Sequence, residues 1–156
     1  KPGISTTDQR EEGFKAAMAN YPDITVLETQ FNDDDANKAS AQVNAVVARA
    51  PDLAGIFGAN LFSAIGSADG VKAMGKSGEI KVVAFDAPTR IVDDLKSGLV
   101  DMAIAQHPAE IGYMGVMVAF GHVTGNPVPV SVGTGFTVMT ADNIDDPDIS
   151  KYVYSD

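Results

Sequence analysis

The chain has 156 residues, 45% of them hydrophobic, with 15 glycines and 8 prolines: enough for one globular domain with a core of its own. Its 21 acidic against 11 basic residues leave a net charge of −10, which repels phosphate backbones and anionic lipid and argues against a nucleic-acid partner. There is no cysteine, which excludes disulfides, thiolate metal sites and thiol nucleophiles.

Helical and strand-like patterns alternate from the start. The opening, KPGISTTDQREEGF, reads as a loop entering a helix rather than as a natural beginning, so the chain is expected to be a piece of a longer protein. A Thr or Asp N-cap, early acids and the series Phe14, Ala17, Met18 and Tyr21 predict a first helix. Pro22 ends it, and DITVLETQF (23–31) has the β-branched pattern of a strand. Ala39, Val43, Val46, Val47 and Ala50 then mark one helix stripe, closed by Pro51. LAGIFGA is a short apolar strand, and a helix follows over about 61–74.

After the turn GKSGE comes the strand IKVVAF, then the short helix TRIVDDLKSG with Gly98 at its end. VDMAIAQ is a strand, and PAEIGYMGVMVAFGHVTG a helix with Pro108 in its first turn. GTGFTVMT is a last strand, and NIDDPDISKYVY a turn with a short helix. No stretch reaches the roughly 18 apolar residues of a membrane helix; the densest, Ile111 to Val123, is shorter and holds three glycines. Alternating βα units with apolar strands predict an α/β fold, a parallel sheet covered by helices on both faces.

In such sheets ligands bind beyond the carboxyl ends of the strands. Asn60 follows AGIFGA, Asp86 follows VVAF and Gln106 follows MAIA, while Arg10 in the first helix reaches the same rim. One carboxylate, one guanidinium and two carboxamides match the paired donors and acceptors of sugar hydroxyls through charge-assisted bonds. Arg10 and Asp86 are expected to neutralise one another. Each residue alone also fits a helix cap or a turn; four converging on one rim favour a ligand.

The stretches STTDQREEGF, APDLAGIFGAN, GKSGEIKVVAFDAP and SGLVDMAIAQHPAEIG resemble, in order and spacing, the type I periplasmic sugar-binding proteins of ABC importers, the ribose-binding-protein family. The resemblance covers most of the chain but only the carboxyl-terminal half of that fold. It implies that Arg10, Asn60, Asp86 and Gln106 hydrogen-bond sugar hydroxyls. Where the family's ribose binders carry an aromatic, this chain has Asp34, within the run Asp33 to Asp35. Phe31, Phe62 and His107 are further candidates for ligand contact.

The resemblance also implies a division. Residues 1–106 form the carboxyl-side lobe without its first strand. Residues 107–134 form a helix and crossing segment that pack on an amino-terminal lobe, and residues 135–156 are a return strand and tail. The apolar face of Ile111, Met114 and Val118 would otherwise lie open to water. The missing half is expected as another chain or segment, or a second copy covers that face.

Other motifs carry less. GVKAMGKS (70–77) matches the phosphate-binding pattern GxxxxGK[ST] but ends a helix instead of opening one. The three aspartates lack the Gly and Glu of a calcium loop and suit a helix N-terminus. His107 and His122 show no metal spacing, and no catalytic triad is legible, so no metal and no cofactor are expected. The expectation is a binding protein, not an enzyme. It takes a monosaccharide or small polyol in the periplasm and delivers it to an ABC permease. The alternative is the effector-binding domain of a sugar-responsive transcription repressor.

Overall fold

A computed structural model describes residues 1–154. The order of elements is α1 (Ser5–Met18), α2 (Ala36–Arg49), β1 (Gly55–Gly58), α3 (Leu61–Ala73), β2 (Lys81–Phe85), α4 (Thr89–Lys96), β3 (Met102–Gln106), α5 (Pro108–Val123), β4 (Phe136–Met139) and α6 (Pro147–Ser150). The sheet runs β1-β2-β3-β4. The first three strands are parallel, as their apolar runs predicted, and β4 returns antiparallel to β3, pairing Val138 with Ile104.

One face of the sheet carries the core. Val82, Ala84, Ala103 and Ala105 are buried beneath Ala64, Ala68 and Val71 of α3 and Ile91 and Leu95 of α4. The approach is close because the facing residues are small. A Cβ on Gly58 would lie 2.5 Å from Ala64 Cα, and one on Gly66 would lie 2.3 Å from the Ala36 carbonyl oxygen. So α3 is wedged between β1 and α2, whose Ala39, Val43 and Val47 form the buried part of the expected stripe. Arg90 ties α4 both to itself and to α3, donating to Asp94 at 2.7 Å and to Asp69 at 2.6 Å.

The opposite face is covered less evenly. Side chains alternate along a strand, so Phe57, Val83 and Phe85 point away from the core layer. There α1 lies over them, with Phe14 stacked on Phe57 at 5.4 Å and Arg10 over Phe85. No residue of α1 is fully buried.

Three expectations are corrected. The first helix has no Thr or Asp N-cap: Ile4 holds that position without a side-chain cap, and Thr7, inside the first turn, donates its hydroxyl to the Ile4 carbonyl at 3.0 Å. Residues 23–31 are not a strand. Their β-branched pattern suits pairing, but none of the described strands runs beside them. They are held instead by side chains: Thr29 donates to Glu11 at 2.8 Å, and Gln42 donates to the Phe31 carbonyl at 2.9 Å.

The third concerns α5, where Met114 and Val118 are half-buried and, with Ile111, line a groove of about 520 Å³ against residues 128–134. Ile111 stays 42% exposed, as expected, while the most open stripe is Tyr113, Val116, Phe120 and Val123, which are 65%, 69%, 62% and 77% exposed. The notional phosphate loop finishes α3 and turns at Gly75, φ 67°, towards β2, so its amides face no helix-opening anion site.

Two glycine substitutions with opposite expected signs test this packing. In Gly66→Ala the new methyl meets the Ala36 carbonyl, and the chain is expected to lose roughly 1–3 kcal/mol. In Gly112→Ala, on open α5 with nothing within 4 Å, it is expected to gain about 0.5–1 kcal/mol. Chemical denaturation of the two variants beside the parent reads both.

Candidate functional site

Register aligns the strand ends. Gly58 pairs with Ala84, and Ala84 with Ala103, so two residues further on Asn60 stands level with Asp86 and within one residue of Gln106. Adjacent strands lie about 4.8 Å apart, so the rim from Asn60 to Gln106 spans about 10 Å. That width admits one small ring with hydrogen bonds on either side.

Asn60 is a helix cap as well as a rim residue. Its side-chain oxygen accepts the Ser63 amide at 2.9 Å, and its Nδ2 donates to the Asp34 carboxylate at 2.5 Å. Asp33 and Asp34 have left-handed backbones, φ 55° and 62°, before Asp35 caps α2 by accepting the Asn37 and Lys38 amides. Of the three aspartates, Asp34 is therefore the one that turns to the rim.

Asp86 is not a cap. The N-cap position of α4 is Pro88, with no side-chain cap bond. The Asp86 backbone is left-handed, φ 80°, a conformation that costs a non-glycine residue roughly 1–3 kcal/mol. The amide of Asp86 still donates to Ile104 at 2.9 Å, and its carboxylate accepts Gln106 Nε2 at 2.6 Å. The backbone is thus strained at the residue that aims a carboxylate over the strand ends.

Arg10 comes in from α1. It donates one N–H to the Ala59 carbonyl at 3.0 Å, and its Cζ sits 3.5 Å from the centre of the Phe85 ring. Arg10 and Asp86, expected to neutralise one another, form no contact ion pair within 4.0 Å; the Ala59 carbonyl and the ring hold the guanidinium. Asp86 still acts on it through space. Burial holds the Arg10 pKa below the usual value for arginine, and the charges of Asp86 and then Tyr154 partly oppose that shift.

The remaining candidates divide. Phe31 and Phe62 are 41% and 46% exposed, Phe62 in the first turn of α3 next to Asn60. The carbonyl of Phe31 is taken by Gln42. His107 is engaged by its own chain: its Nε2 lies 2.8 Å from Thr137 Oγ1, its Nδ1 3.2 Å from Glu110, and its ring stacks on Tyr152 at 3.7 Å. It joins β3 to the returning β4 and the tail. Sequence reasoning passed over Phe85 as a group touching this rim, since an aromatic at the end of an apolar run reads as core.

Two concavities lie elsewhere, one of about 710 Å³ between α1 and residues 21–31 and the groove on α5. Neither is lined by Asn60, Asp86 or Gln106. Among the described residues no group of three acidic or histidine side chains is placed to hold a metal. The strain at Asp86 has a measurable consequence. Asp86→Gly is expected to be more stable than Asp86→Ala by about 1 kcal/mol, because only glycine adopts φ 80° freely; paired denaturant melts check the order.

The fold has close parallels. The family described as periplasmic binding protein domain matches residues 1–127. The ribose import binding protein RbsB of Haemophilus influenzae is 32% identical over 138 residues, 88% of this chain and 46% of that protein. The D-ribose/D-allose-binding protein of Pseudomonas aeruginosa is 31% identical over 126 residues, 79% of this chain and 39% of that protein. Among solved structures, an ABC transporter solute-binding protein from Agrobacterium vitis, bound with alpha-D-tagatopyranose, superposes with a TM-score of 0.98 at 65% identity, covering 100% of this chain and 52% of that one. The chain thus spans about half the length of the relatives it matches. With the family matched over most of its residues and its sheet and helices in the same arrangement, this chain belongs to the periplasmic binding protein domain family.

Proposed function

We propose that this chain is the carboxyl-side half of a solute-binding protein that holds a monosaccharide or small polyol. Arg10, Asn60, Asp86 and Gln106 carry the ligand contacts, with Phe31, Phe62 and His107 as lesser candidates. The observation that carries the reading is the row of polar groups level with one another beyond β1, β2 and β3. Asp86 accepts from hydroxyls, Arg10 donates, and Gln106 retains a carbonyl and one N–H after its bond to Asp86. The set matches hydroxyls in both directions, which is what binding a polyhydroxy ligand requires. Relatives bearing the names of ribose-, allose- and tagatose-bound proteins support the ligand class. Delivery to an ABC permease from the periplasm belongs to the same proposal.

The second half of the proposal concerns α5. Residues 107–134 cross to an amino-terminal lobe, and residues from 135 onward return; Ser155 and Asp156 lie outside the described residues. The stripe Tyr113, Val116, Phe120 and Val123 is the surface that lobe, or failing it a second copy, covers. Removing it from water is worth roughly 25 cal/mol per Å².

Two experiments test these statements. The full two-lobed protein is melted with D-ribose, D-allose, D-tagatose and related polyols; a ligand at about 100 times its dissociation constant is expected to add about 2.7 kcal/mol. Asp86→Ala is expected to abolish the response. A folded protein that no sugar stabilises contradicts the reading. For α5, sedimentation of the 156-residue chain alone is expected to show self-association, and a monodisperse monomer contradicts that part.

A further inference from the structure

Phe85 and Asp86 are neighbours in sequence with different duties at the rim. The Phe85 ring lies on the face of β2 beneath α1, and Asp86 leaves the strand with φ 80°. We infer that Phe85 is a positioning residue for the ligand: its ring fixes the plane of the Arg10 guanidinium, so that Arg10 meets the ligand by its edge. The inference rests on the sugar-binding reading above and adds to it a residue that touches no ligand.

The geometry leaves little freedom. A carbon 3.5 Å from a ring centroid lies over the ring face, since an approach at the edge would overlap ring atoms. A planar cation stacked on a ring can still spin within its plane; the bond from one N–H to the Ala59 carbonyl at 3.0 Å stops that rotation. One contact sets the plane and the other sets the angle.

Guanidinium has five N–H donors. One is given to the Ala59 carbonyl, and among the described residues no carboxylate lies within 4.0 Å of the group, whose other donors lie along its edge in that plane. Arg10 is half-buried, and burial already weakens its hold on the proton. A ring face compensates a partly desolvated cation without using any of its donors, which a carboxylate could not do.

The arrangement also accounts for the missing ion pair with Asp86. Had Arg10 closed on Asp86, each would have saturated the other. Held apart by Phe85, the guanidinium edge and the carboxylate remain a donor and an acceptor on the same rim. A hydroxyl that accepts from Arg10 and donates to Asp86 uses both.

The test uses the two-lobed protein and calorimetric titration with D-ribose, D-allose and D-tagatose, taking forward the sugar that binds. Phe85→Leu, which keeps apolar bulk but no ring, is expected to weaken binding roughly five- to thirtyfold with the apo melting temperature little changed. Phe85→Tyr is expected to stay within about twofold of the parent, since it keeps the ring face. In an Arg10→Lys background no plane remains to be held, and Phe85→Leu is expected to change affinity by less than about twofold. Phe85→Met replaces Phe85→Leu if the latter does not fold.

Unchanged binding by Phe85→Leu, or an equal loss in both backgrounds, overturns the positioning role and leaves the sugar-binding reading standing. Failure of the parent to bind any of the three sugars overturns both.

Discussion

The parallel register of β1, β2 and β3 is the constraint on which the rest of the structure depends. Because Gly58, Ala84 and Ala103 lie in one row, the residue that ends each strand falls on a common edge. Residues 60, 86 and 106, distant in sequence, become neighbours for that reason alone. The register is in turn kept by α3, which sits so close that glycine is required at both of its contacts, Gly58 towards β1 and Gly66 towards α2. Any slip of one strand would drive a side chain into that seam and turn Val82 and Ala84 away from the core.

On this edge, bonds spent on the fold and polar groups left towards the strand ends are separated between residues and sometimes within one. Asn60 spends its oxygen on Ser63 and one N–H on Asp34, so it is largely a structural cap that also borders the cleft. Asp86 does the reverse: it caps nothing and holds an unfavourable backbone conformation. A strained residue persists only where its surroundings over-determine it, and here the Ile104 carbonyl and the Gln106 amide do so. Arg10 is held by a carbonyl and a ring, neither of which neutralises it.

The distribution of apolar surface has a different logic. The face of the sheet under α3 and α4 is closed, whereas α1 buries no residue fully and α5 shows water a stripe of aromatic and aliphatic side chains. On the proposal above, this stripe is the surface that an amino-terminal lobe or a second copy covers. It agrees with a chain that spans about half the length of its relatives.

Much was legible in the sequence. The helices, the three parallel strands and the three polar residues at their ends follow from local patterns: apolar runs, i,i+4 stripes, a proline at the start of α5 and a glycine after α4. These signals act within a few residues and so survive without tertiary context. What the sequence could not decide were matters of partnership. Residues 23–31 carry a strand pattern, yet a strand needs a neighbour, and none of the described strands supplies one. The N-cap of α1 depended on where the helix began, and Ile4 holds it. The open face of α5 depended on which side residues 128–134 chose to cover. Sequence alone established that a guanidinium and a carboxylate share one rim; only the tertiary structure decided that they stay apart, because Phe85 and the Ala59 carbonyl reach Arg10 first.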